Sequence, residues 1–211
     1  MSLTWILDLD NTLYPAASGL FRLIDANIQA FMRGLGIPAS EVPALRDRYR
    51  ARYGLTLCGL MAHHGVDPDE YQTFVHDVPL GAFLAPDPEL DAALGRLDGR
   101  RVVFTNGSGA HARAVLGHLG VAHRVERVFD LSFMDYTPKP QPHGYHKMLD
   151  ALGSAAERCW MVDDLPENLD TASALGMATV LVGAVPRPPH LLVASVVDLP
   201  GLLLAPSRTA G

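Results

Sequence analysis

Two aspartates stand two residues apart directly after an apolar segment at positions 5–7. The segment is typical of a buried strand, and Asp8 and Asp10 follow it. Side chains at i and i+2 of an extended chain point to the same face, so the two carboxylates should meet at one spot. Because like charges repel there, the pair favours a divalent metal, a phosphate-bearing substrate, or both as its partner. Taken alone, the pair is equally compatible with a strand end in which one carboxylate caps a helix and the other is solvated.

The composition is that of an ordinary folded protein without a basic segment. The chain has 211 residues, of which 48% are hydrophobic and 19% charged, enough for one sizeable domain or one domain with a smaller insertion. The formal net charge is −6 and no run of Lys or Arg occurs, which argues against nucleic acid as the main partner. An anionic substrate would therefore need a local electropositive pocket or a metal.

Neither the cysteines nor the apolar segments indicate export or membrane insertion. Cys58 and Cys159 lie in apolar segments and fit buried thiols in a reducing compartment. No signal-peptide pattern is visible at the N-terminus, and no apolar stretch approaches the length of about eighteen residues that a membrane span needs. We therefore expect a cytoplasmic protein with no membrane partner. Its oligomeric state is not indicated.

The first half of the chain is predicted to be helical after the opening strand. Apolar residues recur with helical spacing over 19–34, and further helices are expected over 40–52, over 57–64 and over 67–76. Ser40 is the expected N-cap of the second of these helices. Between 14 and 100 no convincing strand is found, and Pro79, Pro86 and Pro88 indicate a hinge or linker.

From residue 100 onward, short β-branched segments alternate with helices. Strands are expected at 101–104, 128–131, 159–162, 179–182 and 193–197, between helices that end near 119 and 152 or span 168–175. This alternation predicts an α/β protein with a doubly wound parallel sheet. The earlier helices cannot belong to that sheet, so they should form a small lobe above the strand ends. The tail after Pro206 is expected to fray.

Polar residues follow three of the predicted strands. Because ligands bind outside the carboxyl ends of parallel strands, these side chains should gather at one site. Each has a structural explanation when taken alone, such as a helix cap or a solvated lysine, but all of them together in this order favour a functional site. The residues are Asp8, Asp10, Thr105, Asn106, Asp163 and Asp164, joined by Lys139 from a proline-rich loop.

The carboxylates of this set suit phosphoryl transfer. Asp8 can attack a phosphorus centre and form an aspartyl phosphate. Asp10 can protonate the leaving alkoxide and later deprotonate water. Mg²⁺ prefers one or two carboxylates with phosphate oxygens and water, which suits Asp8, the backbone carbonyl of Asp10, and Asp164.

The remaining residues suit the binding of a phosphate group. Thr105 and Asn106 stand where a glycine-rich loop opens a helix, so hydroxyl and backbone N–H groups can hold phosphate oxygens. Lys139 can neutralise charge on the transferring group, and the prolines beside it stiffen its loop.

These residues resemble the four motifs of the haloacid dehalogenase-like superfamily of phosphohydrolases. The segment 8–12 is similar to its D-x-D-x-T motif, Thr105-Asn106 to the second motif, Lys139 to the third, and Asp163-Asp164 with Asn168 to the fourth. The resemblance covers nearly the whole chain. It implies a Rossmann-like core, Mg²⁺ dependence, Asp8 as nucleophile and Asp10 as general acid and base.

The fourth motif implies separate roles for its members. Asp164 is similar to the residue that binds the metal directly. Asp163 is similar to a residue that lies further from the metal or contacts it through water. Asn168 resembles a residue that supports this loop. The order of Asp163 and Asp164 around the metal stays open at this point.

A narrower resemblance concerns the substrate. Several segments look like the pyrimidine 5′-nucleotidase branch, which dephosphorylates nucleoside monophosphates such as UMP and CMP. They are 8–15, Tyr53-Gly54, Leu84 with Pro86-Asp87, and Pro138-Lys139-Pro140. The position of the helical lobe resembles a C1 cap. The implied domains are a core of residues 1–14 and 91–211 and a cap of residues 15–90, with hinges among the prolines at 79–88.

The cap contains several polar or aromatic residues that are candidates for reading the substrate. They are Arg46, Tyr49, Arg50, Tyr53, His63, His64, Phe74 and His76. The expected partner is a small phosphorylated metabolite. A sugar-phosphate phosphatase or phosphomutase on the same scaffold is the alternative, and a non-catalytic phosphate-ligand binding protein is a third hypothesis.

Overall fold

A parallel sheet of six strands forms the centre of the protein, which a computed structural model describes for residues 3–204. The order across the sheet is β3-β2-β1-β4-β5-β6, and every neighbouring pair is parallel. The chain thus winds outward from β1 in both directions, which confirms the predicted doubly wound α/β fold. The strands are β1 (Thr4–Leu7), β2 (Arg100–Phe104), β3 (Arg127–Phe129), β4 (Cys159–Asp163), β5 (Ala178–Val182) and β6 (Leu191–Val193).

The register brings the ends of the three central strands level. Leu7 of β1 pairs with Val103 of β2 on one side and with Val162 of β4 on the other. The residues that follow these positions therefore leave the sheet at the same edge. This alignment gathers side chains from three distant parts of the sequence.

Nine α-helices surround the sheet in the described part of the chain. Five of them lie between β1 and β2 in the sequence, and the others alternate with the later strands. They are α1 (Leu20–Gly34), α2 (Val42–Tyr53), α3 (Thr56–His64), α4 (Pro68–Val75), α5 (Pro88–Arg96), α6 (Gly109–His118), α7 (Pro142–Leu152), α8 (Pro166–Ala174) and α9 (Leu199–Leu204). None of the described helices is both long and apolar enough to cross a membrane.

The two faces of the sheet bury separate apolar clusters. Successive residues of β1 divide between them, since Trp5 and Leu7 belong to one cluster and Ile6 to the other. Helices α5 and α6 cover the first face with residues such as Leu94, and α7 and α8 cover the second with residues such as Met148. Burial on both faces explains why the central strand β1 is apolar from Trp5 to Leu7.

The helices α1–α4 lie in the segment that is predicted to form a separate lobe, and they contribute residues to both clusters. Helix α1 contributes Ile24 to the first cluster and Met32 to the second. Helices α2 and α3 approach closely at Gly59, where an added Cβ would lie 2.2 Å from the ring of Tyr49. A larger residue at this position would push the two helices apart.

One of the prolines predicted to mark a hinge, Pro88, instead lies at the start of a helix. Asp87 Oδ1 accepts hydrogen bonds from the backbone N–H groups of Glu89 and Leu90, and Pro88 occupies the first turn of α5. A proline is tolerated there because the first N–H groups of a helix have no partner within it. The prediction of a linker through Pro88 was therefore wrong.

Two further boundaries differ from the prediction. Helix α2 begins at Val42 without a side-chain cap, so Ser40 is not its N-cap. The segment 193–197 is not a strand, because β6 ends at Val193 and Ser195 then caps a short 3-10 turn. The predicted fraying after Pro206 lies outside the described residues.

Candidate active site

All the polar residues predicted to gather at the strand ends line one cavity of about 500 Å³. It lies at the carboxyl edge of the sheet, and residues of α1, α2, α3 and α4 form much of its other walls. The lining includes Asp8, Asp10, Thr105, Asn106, Lys139, Asp163, Asp164 and Asn168. The structure thus brings the predicted site residues of all four motifs to one cavity.

Asp8 is held at the end of β1 by contacts to both carboxylate oxygens. Its Oδ1 accepts a hydrogen bond from Lys139 Nζ at 2.8 Å, and its Oδ2 accepts one from Thr12 Oγ1 at 2.9 Å. The turn that brings Thr12 back passes through Asn11, which has a φ of 63°. Burial raises the pKa of Asp8 to about 7, although the charge of Lys139 opposes the shift.

Lys139 is the buried cation of the site. Its ammonium group donates hydrogen bonds of 2.8 Å to Asp8 Oδ1, to Asp163 Oδ2 and to the carbonyl oxygen of Phe104. All three of its donors are used. Burial acts to lower the pKa of Lys139, but the two carboxylates raise it by more, so the side chain stays charged.

The loop that carries Lys139 is fixed by Asn106. The side-chain Oδ1 of Asn106 accepts a hydrogen bond from the backbone N–H of Lys139 at 2.8 Å, and its Nδ2 donates to the backbone oxygen of Lys139 at 3.1 Å. Its side chain therefore holds the lysine loop in place. Thr105 Oγ1 accepts a hydrogen bond from the N–H of Gly107 at 2.9 Å, which leaves its own O–H available as a donor.

Asp163 and Asp164 differ sharply in their surroundings. Asp163 is fully buried, and its oxygens accept hydrogen bonds from Lys139, from Asn168 Nδ2 and from the N–H of Leu165. Asp164 is half-buried, and its Oδ1 lies 3.5 Å from Thr12 Oγ1. Burial and the neighbouring Asp163 raise the pKa of Asp164 to about 6. Asp164 therefore has more free acceptor capacity than Asp163.

These carboxylates fit a divalent cation. Oxygens of Asp8, Asp163 and Asp164 lie within 4.8 Å of one another. Burial is the main cause of the raised pKa values of Asp8 and Asp164, and the nearby charge of Asp163 adds to both shifts. An all-oxygen donor set of this kind suits Mg²⁺.

Asp10 has partners that the sequence patterns did not reveal. Its Oδ1 accepts hydrogen bonds from the hydroxyl of Tyr14 and from His111 Nε2, the latter at 3.0 Å. Burial acts to raise the pKa of Asp10, but the hydrogen bond from His111 and the other contacts lower it below its usual range. The contact of Tyr14 with Asp10 could have been predicted, because the two residues are only four apart in the sequence. His111 belongs to α6, and its contact had no such local signal.

The lobe contributes some of the predicted substrate-reading residues and not others. Arg46, Arg50 and His76 line the cavity. Arg46 is paired with Asp25 of α1, while Arg50 has no ion-pair partner in the described part of the chain. The remaining candidates, Tyr49, Tyr53, His63, His64 and Phe74, are not among the lining residues. Lining residues that were not predicted include Phe21, Ile24, Ile28, Tyr71 and Gln72.

Fold and site together define an α/β protein with an acidic, lysine-bridged cavity at the carboxyl end of its sheet. A family model described as a haloacid dehalogenase-like hydrolase matches residues 4–176. The chain therefore belongs to this family of hydrolases, which confirms the superfamily resemblance of its motifs.

Two curated proteins are similar in sequence. One is phosphoglycolate phosphatase of Rhodospirillum rubrum, 30% identical over 192 residues that cover 84% of this chain and 78% of that protein. The other is phosphate metabolism protein 8 of Saccharomyces cerevisiae, 28% identical over 194 residues that cover 84% of this chain. The match spans only 60% of the yeast protein's length.

Solved structures show the same fold at lower identity. L-2-haloacid dehalogenase of Xanthobacter autotrophicus is 15% identical, with a TM-score of 0.63 over 97% of this chain and 99% of that one. A HAD phosphatase of Thermococcus onnurineus is 17% identical, with a TM-score of 0.64 over 96% of this chain and 98% of that one. The fold is thus shared by dehalogenases and phosphatases, and the site chemistry has to distinguish them.

Proposed function

We propose that the protein is a phosphomonoester hydrolase that works through an aspartyl phosphate on Asp8. The observation that carries this proposal is the position of Asp8 between the ammonium of Lys139 and the hydroxyl of Thr12, with Asp10 two residues further on. A nucleophile held by a buried cation suits an anionic phosphate, and a second carboxylate nearby suits proton transfer.

In the first step, an oxygen of Asp8 attacks phosphorus and the bond from phosphorus to the ester oxygen breaks. The leaving oxygen takes a proton from the carboxyl group of Asp10 and departs as an alcohol. Asp10 is ionised in its present surroundings, and the negative charge of a bound phosphate raises its pKa and favours the protonated form. Thr105 and the backbone N–H of Asn106 hold the phosphate oxygens.

In the second step, the carboxylate of Asp10 removes a proton from water. The water oxygen attacks phosphorus, the bond from phosphorus to Asp8 breaks, and inorganic phosphate leaves. Lys139 stays in contact with Asp8 and offsets the charge that returns to it.

Mg²⁺ would be held by Asp8, Asp164 and the backbone carbonyl of Asp10. Asp163 and Asn168 would hold the loop that carries Asp164. When bound, Mg²⁺ neutralises charge on the phosphate oxygens. The full occupation of Asp163 by Lys139, Asn168 and Leu165 supports the assignment of Asp164 as the direct ligand.

We propose pyrimidine nucleoside monophosphates as the substrates, in a cytoplasmic setting. The resemblance of the motif segments to the pyrimidine 5′-nucleotidase branch suggests this class. The ring of Phe21, which lines the cavity and is 42% exposed, supports it because a base can stack there. A small phosphorylated acid is the second candidate, since Arg50 offers a cation without an ion-pair partner for a carboxylate.

The two proposed domains follow from the same arrangement. The predicted core comprises residues 1–14 and 91–211 and the predicted cap residues 15–90, but this boundary falls inside α5, which begins at Pro88. The cavity between them supports a cap that closes over substrate and excludes water from the phosphoenzyme. Since α5 packs on the core, the hinge is expected before Asp87.

A substrate panel tests the chemistry and the substrate class together. Phosphate release is measured from UMP, CMP, AMP, glucose 6-phosphate and phosphoglycolate, each with Mg²⁺ and with EDTA. We expect Mg²⁺-dependent release, fastest from UMP or CMP. Preference for phosphoglycolate would favour the second candidate, and isomerisation without phosphate release would indicate a mutase. A folded protein that releases phosphate from no compound contradicts the proposal.

The nucleophile is tested with Asp8→Asn. This variant keeps the volume of the side chain but removes the attacking carboxylate, so turnover should fall by at least about 1,000-fold. Circular dichroism checks that the fold is intact. Substantial residual activity would exclude Asp8 as the nucleophile.

A further inference from the structure

We propose that His111 is a positioning residue that, with Tyr14, fixes the carboxylate of Asp10 for proton transfer, and that the ring of His76 keeps His111 in place. The inference rests on the proposed phosphatase function and adds a link between the cap and the proton-transferring group. It arises from contacts among residues that lie far apart in the sequence.

The two oxygens of Asp10 have different surroundings. Both Tyr14 and His111 donate to Oδ1. Oδ2 faces the loop that follows β2, since a Cβ built on Gly107 would lie 3.6 Å from it and 3.3 Å from Thr105 Oγ1. One oxygen is thus anchored by two donors, and the other is directed to the side where the phosphate is expected. This division suits a group that must present a proton in one direction.

A hydrogen bond to Asp10 and a stacked ring are the two specific contacts that orient the imidazole of His111 within the described part of the chain. Its side chain is 1% exposed, and its Nδ1 has no hydrogen-bond partner in the described part of the chain. The carboxylate accepts only, so Nε2 carries the proton of the bond to Asp10. The second contact is with the ring of His76, which stacks on the ring of His111 at a centroid distance of 4.2 Å and an angle of 18°.

His76 connects this stack to the cap. It is the residue that ends α4, and its Nδ1 lies 2.9 Å from the backbone oxygen of Gln72 and 3.4 Å from Ser108 Oγ. Ser108 is the N-cap of α6, the helix that carries His111. The position of α4 therefore determines where the ring of His76 supports His111. His111 in turn determines the orientation of the Asp10 carboxylate.

The test compares esters whose leaving groups differ in their need for a proton. p-Nitrophenolate departs without protonation, whereas the alkoxide of an alkyl phosphate does not. First-turnover formation of the alcohol product is measured by rapid mixing with p-nitrophenyl phosphate and with the alkyl phosphate that the enzyme turns over fastest. The variants are His111→Leu, His111→Gln and Tyr14→Phe.

We expect His111→Leu to slow the alkyl ester by about 10- to 100-fold and the aryl ester by less than about 3-fold. Tyr14→Phe should show the same selectivity. His111→Gln retains an N–H donor at a similar reach, so it should restore most of the rate on the alkyl ester.

Equal losses on both esters would mean that His111 supports the site as a whole and would overturn the inference. A wild-type rate in His111→Leu on the alkyl ester would overturn it as well. If the wild-type enzyme cleaves neither ester, the proposed function itself fails, and the inference fails with it.

Discussion

Lys139 is the residue on which the electrostatics of the site depend. It lies between Asp8 and Asp163, and the three side chains are almost fully removed from water. Two carboxylates this close would otherwise repel each other strongly. The lysine thus offsets part of the cost of burying the carboxylate of Asp8, the proposed nucleophile.

Replacing the lysine should therefore destabilise the protein as well as inactivate it. Lys139→Met leaves two buried carboxylates without their cation, and we expect the free energy of unfolding to fall by about 3–5 kcal/mol. Urea denaturation in EDTA measures the change. Lys147→Met is the matched control, because Lys147 pairs with Asp135 at the exposed surface and should matter little. A similar effect of both substitutions would contradict the central role of Lys139.

Phe21 is the residue with which the proposed nucleotide specificity can be tested. Stacking of a base on an aromatic ring contributes about 1–3 kcal/mol. Phe21→Ala should therefore raise KM for UMP by about 5- to 100-fold and leave turnover of p-nitrophenyl phosphate unchanged. Phe74→Ala is the control, because Phe74 is similarly exposed but lies outside the cavity. An unchanged KM in Phe21→Ala would argue against base stacking at this position.

The contact of α4 with α6 buries most of the imidazole of His76 and thereby favours its neutral form. Burial lowers the pKa of His76 to about 4, and the neighbouring His111 adds to the shift. An unfolded histidine has a pKa near 6.5, so the unfolded chain binds more protons between these two values. The contribution of neutral His76 to the free energy of unfolding is therefore complete above about pH 6.5, and it is lost as the pH falls toward 4.

This loss should amount to about 3 kcal/mol for His76 over that interval. His76→Phe keeps a ring in the stack but cannot titrate, so its free energy of unfolding should fall less steeply with decreasing pH than that of the wild type. Urea denaturation at several pH values gives the slopes. His118→Phe, at the exposed end of α6, is the matched control for the substitution. Equal slopes in His76→Phe and wild type would contradict the prediction.

The elements also show which parts of the molecule can be predicted from sequence. Strand ends such as Asp8 and Asp163 were predictable because a short apolar segment identifies the strand and parallel pairing aligns the carboxyl ends. Helix α5 was missed because Pro88 was interpreted as a break, whereas its place after the capping Asp87 makes it a start. The local sequence is compatible with a break or with a helix start at Pro88, and the capping hydrogen bonds show that it is a helix start.

Contacts between side chains were harder to predict than elements. The bond from His111 to Asp10 joins residues from different halves of the chain, and no spacing rule relates them. Asn106 was expected to offer its backbone N–H to a phosphate, and the hydrogen bonds of its side chain to the backbone of Lys139 were not predicted. Such contacts depend on how loops pack, which one sequence does not encode in any periodic form.

For the whole molecule, metal binding and folding should be linked. The carboxylates of Asp8, Asp163 and Asp164 come together only in the folded chain, so a cation bound there stabilises the native state. Mg²⁺ at one hundred times its dissociation constant should add about 2.7 kcal/mol to the free energy of unfolding. The measurement is urea denaturation at constant ionic strength with increasing MgCl₂.

Asp164→Asn should remove most of this stabilisation, because it replaces the carboxylate with the most free acceptor capacity. Asp135→Asn is the control for the loss of a carboxylate at the surface. A wild-type response to Mg²⁺ in Asp164→Asn would mean that the cation binds elsewhere.

The strand order has a consequence for how the chain acquires its structure during synthesis. β1 is made first, yet Thr4 pairs with Arg100 on one side and with Cys159 on the other. Pairings between distant segments form late because a long loop has to close first. The central strand therefore has at most one neighbour until residue 163 has left the ribosome. Asp8, which follows β1, is therefore made well before most of the residues that surround it in the cavity.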